Sequence, residues 1–301
     1  ALEWATIRLW LILCIMRGWH SRQLDFVLAY PQAPAPRPTY MELPAGINFP
    51  NGINRKLHCL QILQNIYGGK DAGRTWFLYL KQGLLELGFE QSKIDECVFY
   101  KGTTVLLVYT DDCIVIDKES QANIDNVIEL LKSKFDLEDE GNIEDYLGVR
   151  VTKQQDGSLL LTQPHLIDSI LADLGLKDGQ SNAKPKDTPA MTTKLIGPDY
   201  DGDPFNYSWD YRSVIGKLNF LEKSTRPDIA YATHQCARFL INPKRSHGEA
   251  VKYIGRYLLG TRDKGLIISP TEMESFECYV DADFMGNWDK KIAEIDPNTA
   301  K

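Results

Sequence analysis

Two adjacent acidic residues, Asp111 and Asp112, interrupt a stretch of apolar residues near the middle of the chain. The flanking runs, residues 103–109 and 113–116, are short and rich in β-branched side chains, which is typical of buried strands. The pattern predicts a tight hairpin that presents both carboxylates at its turn. Adjacent carboxylates repel each other, so a fold that keeps them together is favoured where a cation neutralises them. A solvated turn, in which Asp accepts local backbone hydrogen bonds, explains this feature alone equally well.

The composition is that of a folded protein with about two domains. Hydrophobic residues make up 43% and charged residues 25% of the 301 residues, which argues against disorder. With 34 basic and 41 acidic residues, the formal net charge is −7. That charge is unusual for a small DNA-binding domain, but it is compatible with a large enzyme that has one basic face.

Neither a membrane span nor an export signal is predicted. The longest apolar run near the N-terminus, residues 9–16, is much shorter than the roughly 20 residues that cross a bilayer. No small-residue cleavage site follows it. The six cysteines contain no Cys-x-x-Cys pair, which disfavours a zinc ribbon or a disulfide framework. We therefore expect a reduced, intracellular protein without membrane contact.

The first half of the chain mixes strand and helix patterns, and helices dominate after residue 205. Apolar residues at helical spacing predict helices over 1–18, 76–87, 124–131, 166–174, 210–222, 227–241 and 247–259. Besides the hairpin, β-rich patterns predict strands over 21–28, 149–152 and 158–162. Four prolines between positions 31 and 38 predict an exposed loop rather than a strand or helix. The pattern thus predicts an α+β domain, a helical domain with a linker over 177–208, and the start of a third unit.

A third acidic residue, Asp25, lies towards the end of the predicted strand 21–28. A lone Asp in that position is usually a cap or turn residue. If this strand pairs beside the acidic hairpin, however, Asp25, Asp111 and Asp112 converge at one edge of a sheet. Such a cluster suits two Mg²⁺ ions about 3.5–4 Å apart, one for an attacking hydroxyl and one for a leaving pyrophosphate.

Several short motifs follow one another along nearly the whole chain. Two of them contain the acids: Gln23-Leu-Asp25-Phe-Val-Leu-Ala-Tyr30 and Tyr109-Thr-Asp-Asp112. The others are Tyr40-Met-Glu-Leu-Pro-Ala-Gly46, Ile66-Tyr-Gly-Gly-Lys-Asp-Ala-Gly-Arg-Thr-Trp76, Tyr146-Leu-Gly148, Tyr211-Arg-Ser-x-x-Gly216, Thr225-Arg-Pro-Asp-Ile-Ala-Tyr231 and Arg256-Tyr-Leu-x-Gly-Thr261. Together they resemble the ordered motifs of reverse transcriptases from copia-type LTR retrotransposons. An ordered set of this kind is far more specific than one Asp-Asp pair.

The resemblance implies an α+β fold and the activity of an RNA-directed DNA polymerase. It implies a right-hand polymerase palm with partial fingers over residues 1–162. A helical thumb or connection would follow over residues 163–270, and residues 271–301 would be the truncated start of an RNase H-like domain, including its first strand. The implied whole is a polyprotein fragment that is truncated at both ends.

Three acids carry the chemistry that the resemblance implies. Asp25, Asp111 and Asp112 would be catalytic and would bind two Mg²⁺ ions, for which Mn²⁺ could substitute. The implied partners are an RNA template, a DNA primer, deoxynucleotides, and other parts of the polyprotein such as integrase and RNase H. The implied location is the cytoplasm and virus-like particles, with access to the nucleus.

Four further residues would contact the nucleotide or the template. Tyr30 would lie under the sugar of the incoming nucleotide and exclude a 2′-hydroxyl; the alternative is an aromatic side chain that fills a sheet edge. Lys70 and Arg74 would lie near the nucleotide and template, and a solvated helix face is their alternative. Tyr109 would belong to the same nucleotide and template site.

Basic residues are concentrated in the last third of the chain. Residues 217–264 contain ten Lys or Arg and four acids, a local charge of +6. Within this segment, Lys252 and Arg256 are one helical turn apart, and we expect them to contact duplex phosphates without reading sequence. A solvated helical face is the alternative. Residues 125–145, in contrast, contain eight acids and two lysines and should face away from the template.

Two acids do not fully fit the family pattern. Asp71 stands where the family has Gln, and its charge opposes a triphosphate unless Lys70 or Arg74 pairs with it. Asp281 resembles the first metal-binding residue of RNase H, but it is interpreted as vestigial because the other acids of that site do not follow. A catalytically silent remnant that retains the fold and nucleic-acid binding is therefore a second interpretation. A nucleotide cyclase would explain the paired acids but not the downstream motifs.

Overall fold

The computed structural model describes residues 2–50, 53–177, 183–191 and 196–269. These residues divide into two compact units. The first extends to Leu159 and also includes residues 268–269, and the second extends from Leu160 to Ile267. The segment 271–301, with Asp281, lies outside the described residues. Within the described ranges, no helix is long and apolar enough to cross a bilayer.

Strands and helices are mixed in the first half of the chain, and helices dominate later. The earlier elements are α1 (Trp4–Arg17), β1 (His20–Phe26), α2 (Ala29–Gln32), β2 (Pro34–Glu42), β3 (Cys59–Gln64), α3 (Ala72–Glu86), β4 (Glu90–Gln91), β5 (Val98–Lys101), β6 (Thr104–Tyr109), β7 (Asp112–Asp117), α4 (Gln121–Lys132), β8 (Leu137–Gly141), β9 (Asp145–Tyr146) and β10 (Val149–Lys153). The later elements are β11 (Leu159–Thr162), α5 (Pro164–Asp173), α6 (Tyr211–Ser224), a 3₁₀ helix (Pro227–Ile229), α7 (Ala230–Ala237), α8 (Arg245–Gly260) and β12 (Leu266–Ile268). This content agrees with the predicted α+β class.

An antiparallel sheet of six strands forms the centre of the first unit, in the order β4-β5-β6-β7-β1-β8. Apolar side chains alternate between its two faces, and both faces are covered. One face, with Phe26, packs against Trp76 of α3 and Ile128 of α4. The opposite face, with Ile114, packs against Leu11 of α1. Burial on both faces accounts for the unbroken apolar runs in β6 and β7.

The predicted hairpin is confirmed, because β6 and β7 pair from Thr104 opposite Asp117 to Tyr109 opposite Asp112. β1 pairs with the other side of β7, so the hairpin lies inside the sheet. At the end away from the turn, the buried Asp117 accepts a hydrogen bond from the hydroxyl of Thr104 (2.7 Å). Burial opposes the ionisation of Asp117, but this bond and others from backbone N–H groups lower its pKa. A charged and fully hydrogen-bonded acid therefore closes that end of the hairpin.

β2 and β3 form a separate antiparallel ribbon of two strands. The prediction of a loop is wrong, because Pro31 lies in α2 and the residues from Pro34 onward form β2. The predicted exposure is found for most of β2 but not for Ala33, which is buried. The register shifts between Pro34 and Thr39, so the prolines between them are not required to donate to the strand pairing. Proline is tolerated at such irregular edges, which is why the strand could form.

The second unit is built around the four helices α5, α6, α7 and α8. Their apolar faces share one core, which includes Ile170, Leu218 and Ile254. The predicted helices 210–222 and 247–259 correspond to α6 and α8. The predicted helix 227–241 is shorter, because it begins with the 3₁₀ turn and ends at Ala237.

Two of the ordered motifs meet at a buried arginine in the second unit. Arg226 is 1% exposed and donates two hydrogen bonds, of 2.8 and 2.9 Å, to the carboxylate of Asp228. It also donates to the backbone carbonyl of Thr261 (2.9 Å), and the hydroxyl of Tyr257 donates to Asp228 (2.7 Å). Removing Asp228 would leave the buried guanidinium of Arg226 without its carboxylate partner, which is destabilising. These motif residues therefore stabilise the unit, and Arg226 does not form part of a basic surface.

Candidate active site

Four polar residues stand in one row across four adjacent strands. Tyr109 of β6 lies opposite Asp112 of β7. Asp112 in turn lies opposite Asp25 of β1, and Asp25 lies opposite Glu138 of β8. Directly opposed residues have Cβ atoms about 4.5–5.5 Å apart and point to the same face of the sheet. The pairing thus makes direct neighbours of Asp25 and Asp112, which are far apart in the sequence.

The third acid, Asp111, lies in the two-residue turn between β6 and β7. The preceding residue, Thr110, has a φ of +58°, a left-handed conformation that is uncommon for residues other than glycine. The backbone N–H of Phe26 donates to the carbonyl of Asp111 (3.0 Å). The indole N–H of the buried Trp76 donates to the carbonyl of Thr110 (2.6 Å). α3 and β1 therefore hold the turn from two sides, a positioning role for Trp76 that its motif alone did not predict.

The carboxylates of the site disfavour one another's ionisation. Burial raises the pKa of Asp112 to about 6, and the charges of Asp111 and Asp25 add to this shift. Burial also raises the pKa of Asp25, to which the charges of Asp111 and Glu140 contribute. The site therefore concentrates negative charge that a bound cation would stabilise.

The donor set of this site has the chemistry that a hard divalent cation requires. Carboxylate oxygens are the ligands that suit Mg²⁺ and Mn²⁺, and Asp25, Asp111 and Asp112 supply them from neighbouring positions. In the part of the chain that the structure describes, no three Asp, Glu, His or Cys side chains form a group arranged to hold a metal ion. The metal site therefore stays a prediction.

Part of the acidic segment 125–145 lies beside the acidic row, because β8 belongs to this segment. Glu138 lies opposite Asp25, and the side-chain amide of Gln23 donates a hydrogen bond to Glu140. The reason is that β8 pairs with β1, a long-range pairing that local patterns do not predict. Both acids therefore add to the negative charge around Asp25.

Two tyrosines lie side by side near the acids. Tyr30 packs against the core of the first unit, as its alternative interpretation holds, and its ring centroid is 4.7 Å from that of Tyr67. Burial raises the pKa of Tyr67, and the charges of Asp111 and Asp25 add to this shift. The motifs contain both tyrosines, but the resemblance gave a role in nucleotide binding only to Tyr30. The contact of Tyr67 with Tyr30 is a tertiary contact, which the sequence does not show. Tyr109 lies on the α1 side of the sheet, where it is partly buried.

The positively charged residues at the start of α3, Lys70 and Arg74, are both exposed. The partner of Asp71 is neither of them, because Asp71 accepts a hydrogen bond from Arg37 of β2 (2.8 Å). The ribbon formed by β2 and β3 supplies this partner, which lies 34 positions away in the sequence. The pair is exposed and contributes little to stability, but it balances the charge of Asp71.

Lys252 and Arg256 lie on α8 of the second unit, and both are half-buried. The ammonium group of Lys252 lies 4.3 Å from the ring centroid of Tyr207, and the guanidinium of Arg256 donates to the carbonyl of Lys184 (2.6 Å). Other basic residues of this segment form ion pairs: Lys217 with Asp173, Arg245 with Asp203, and Arg262 with Asp168. The basic surface is therefore smaller than the local charge of +6 suggests.

The sequence of residues 1–190 matches the profile of a family described as reverse transcriptase (RNA-dependent DNA polymerase). The match covers more than half of the chain and includes Asp25, Asp111 and Asp112. The chain belongs to this reverse transcriptase family.

Curated relatives of this reverse transcriptase are copia-type Pol polyproteins. It is 30% identical to the "Retrovirus-related Pol polyprotein from transposon RE1" of Arabidopsis thaliana over 96% of this chain and 19% of that protein. For the corresponding polyprotein from transposon TNT 1-94 of Nicotiana tabacum, the identity is 29% over 95% and 22%. For the "Transposon Ty1-DR1 Gag-Pol polyprotein" of Saccharomyces cerevisiae, it is 24% over 85% and 15%. The chain therefore spans about a fifth of the length of the plant relatives.

We expect Asp112→Asn to stabilise this reverse transcriptase at neutral pH in metal-free buffer. The folded state raises the pKa of Asp112 from 3.8 to about 6, so it binds this proton more tightly than the unfolded state does. The contribution of Asp112 to the free energy of unfolding therefore falls as the pH rises through this interval. Asn carries no charge, so its advantage should be near zero at about pH 3.5 and about 1 kcal/mol above about pH 7, after allowance for solvent screening.

Urea denaturation of both proteins in EDTA, at several pH values, measures this difference. The exposed Asp136→Asn, in the same unit, controls for the substitution itself. An advantage of Asp112→Asn that does not grow with pH would contradict a raised pKa of Asp112 in the folded state.

Proposed function

We propose that this chain is the polymerase part of a copia-type reverse transcriptase, which extends a DNA primer on an RNA template. The observation that carries the proposal is the strand register that sets Asp25 directly opposite Asp112, with Asp111 in the adjoining turn. Family membership supplies the class of reaction, and the register supports the assignment of these three acids to it.

In the proposed reaction, the primer 3′-hydroxyl attacks the α-phosphate of a deoxynucleoside triphosphate. A phosphodiester bond forms, and pyrophosphate leaves with the electron pair of the broken bond. Divalent cations, Mg²⁺ or Mn²⁺, would supply activation of the attacking oxygen and charge stabilisation at the leaving group. The role of the protein itself is to hold Asp25, Asp111 and Asp112 at fixed positions. The hydrogen bonds that Phe26 and Trp76 donate to the turn support this role.

The nucleotide and template contacts are assigned to Tyr30, Lys70, Arg74 and Tyr109. Tyr30 would exclude a 2′-hydroxyl by its bulk, and its contact with Tyr67 near the acids supports that position. Lys70 and Arg74 would approach the phosphates, and their exposure supports this role.

The two compact units support a division of labour along the chain. We assign residues 1–162 to the palm with partial fingers, since this segment contains the six-stranded antiparallel sheet with the acidic row. Residues 163–270, with their four-helix core, would form the thumb or connection, and residues 271–301, with Asp281, would begin an RNase H-like domain. In the polyprotein, integrase and RNase H would be partners, and the site of action would be cytoplasmic virus-like particles with access to the nucleus.

A catalytically silent remnant is the second candidate. It is favoured by the absence, among the described residues, of any three metal-ligating side chains already arranged around one point. It is disfavoured by the Arg37–Asp71 pair, because the charge of Asp71 is then not an unbalanced obstacle to a triphosphate.

A primer-extension assay on an RNA template with Mg²⁺ tests the function. We expect the 301-residue chain to add deoxynucleotides, and Asp111→Asn to reduce the rate by at least about 10²-fold, because each lost electrostatic stabiliser costs about 10²–10³. Asp156→Asn, in the turn before β11, is the control for an acid of the same unit outside the row.

Equal extension by the chain and by Asp111→Asn would contradict the assignment of the acids. Binding of primer–template without extension in either protein would instead favour the silent remnant.

We further expect Lys252→Gln with Arg256→Gln to weaken primer–template binding by a similar factor for all sequences. Contacts with phosphates depend on charge and release counterions, so the double variant should also show a shallower dependence of affinity on salt. Fluorescence anisotropy at several salt concentrations measures both effects.

The control is Arg212→Gln with Lys217→Gln, which makes the same change of charge on α6. If the α8 variant binds like the unaltered chain, or if both double variants bind equally weakly, the proposed contact is wrong.

A further inference from the structure

Tyr67 is held at the corner of a tight turn that precedes α3. The backbone N–H of Gly69 donates to the carbonyl of Ile66 (3.2 Å), and Gly68 has a φ of +83°. A positive φ at the third residue is the feature of a type II turn, which favours glycine there and places Tyr67 at the second position. The position of Tyr67 is therefore fixed by the backbone and does not depend on a flexible loop.

The buried Asn65 ties this turn to the segment that carries Tyr30. Its backbone N–H donates to the carbonyl of Ala33, directly after α2, and its side-chain amide donates to the carbonyl of Ala72, the first residue of α3. Both distances are 2.8 Å. Because Tyr30 belongs to α2, one buried residue, through its backbone and its side chain, connects α2, the turn that carries Tyr67 and the start of α3.

The two rings form a pair beside the acidic row. Their centroids are 4.7 Å apart and their planes are tilted by 45°. Tyr30 is partly buried, whereas Tyr67 is 52% exposed. The hydroxyl of Tyr30 lies against Gly73 of α3, and Trp76, one helical turn later, donates a hydrogen bond to Thr110 in the turn that contains Asp111 (2.6 Å). The exposed ring of Tyr67, which packs on Tyr30, is therefore close to the proposed reaction centre. A ligand that approaches these acids therefore meets this ring.

We propose that Tyr67 is a specificity-determining residue, whose ring and that of Tyr30 enclose the sugar of the incoming nucleotide. The inference rests on the proposed polymerase function and extends it, because the family motifs assign only Tyr30 to this place. Sugar faces without hydroxyl groups pack well on aromatic rings. A 2′-hydroxyl enclosed by two rings would lose its water without gaining a partner, which disfavours ribonucleotides.

Tyr67 acts through its ring rather than as an acid or base. Burial and the neighbouring carboxylates raise the pKa of its hydroxyl, which therefore stays protonated at neutral pH. A phenylalanine would preserve the enclosing ring, whereas alanine would open one side of the site. This difference separates the proposed role from proton transfer.

The test measures nucleotide binding without catalysis. The 301-residue chain is bound with Mg²⁺ to an RNA template and a DNA primer that ends in a 2′,3′-dideoxynucleotide, so that the next nucleotide binds but does not react. With C as the next template base, the affinities of dGTP and GTP follow from the nucleotide-dependent retention of labelled primer–template. The measured quantity is the ratio of their two dissociation constants.

We expect the unaltered chain to prefer dGTP, and Tyr67→Ala to reduce this preference about tenfold, the lower end of what one pocket contact provides. Tyr67→Phe should keep the preference. Tyr40→Ala is the matched control, because Tyr40 is a 60% exposed tyrosine on β2 of the same unit, and it should leave the ratio unchanged.

A ratio that stays unchanged in Tyr67→Ala, or that falls equally in Tyr40→Ala, would overturn the inference and leave the proposed function intact. If Tyr67 has a purely structural role, Tyr67→Ala would weaken the binding of dGTP and GTP by the same factor. The ratio would then stay unchanged, which overturns the inference. Failure of the unaltered chain to form any nucleotide-dependent complex would overturn the proposed function, and the role of Tyr67 with it.

Discussion

The register of β1 on β7 is the constraint on which the rest of the site depends. Side chains alternate along a strand, so Leu24 and Phe26 point to the face that α3 and α4 cover, and Asp25 between them points to the other. A slip by one residue would move Asp25 into the apolar core under α3 and α4 and would move Leu24 and Phe26 out of that core. The two buried apolar residues therefore place Asp25 opposite Asp112.

Function and stability oppose each other along the acidic row. The register brings Asp25, Asp112 and Glu138 onto adjacent strands, and the turn adds Asp111. Burial and the repulsion between these acids raise the pKa values of Asp25 and Asp112, which destabilises the ionised, cation-free state. The apolar core under the sheet and the bond from Trp76 to the turn stabilise this arrangement. Such strain is typical of a site whose ligand carries the opposite charge.

Local patterns predicted the elements that carry the site. The acidic pair between two β-rich runs predicted the hairpin, and helical periodicity predicted α3, α4, α6 and α8. Both kinds of signal arise from residues close together in the sequence, and burial on a regular face enforces them. The sequence placed Asp25 beside the hairpin only on the condition that its strand pairs there. The structure confirms this pairing, because β1 pairs with β7.

The features that the sequence did not reveal depend on long-range contacts. The pairing of β8 with β1 brings Glu138 beside Asp25, and Arg37 from β2 reaches Asp71. Arg226, which was counted with the basic surface, is buried in an ion pair that joins two motifs. A motif shows which residues occur but not which residues they contact. The sequence therefore did not distinguish motif residues with a structural role, such as Arg226, from those with a functional role.

The most direct test of this account is paramagnetic broadening of backbone amide signals by Mn²⁺ at neutral pH. If the acidic row binds divalent cations, the signals of Phe26, Asp111, Asp112 and Cys113 should broaden at the lowest Mn²⁺ concentrations, and the combined Asp25→Asn and Asp111→Asn variant should lose this effect. Signals around Asp156, in an acidic turn of the same unit, should broaden only at higher concentrations. Equal broadening at both places, or broadening at the row that survives in the variant, would contradict the claim that the strand register builds a cation site.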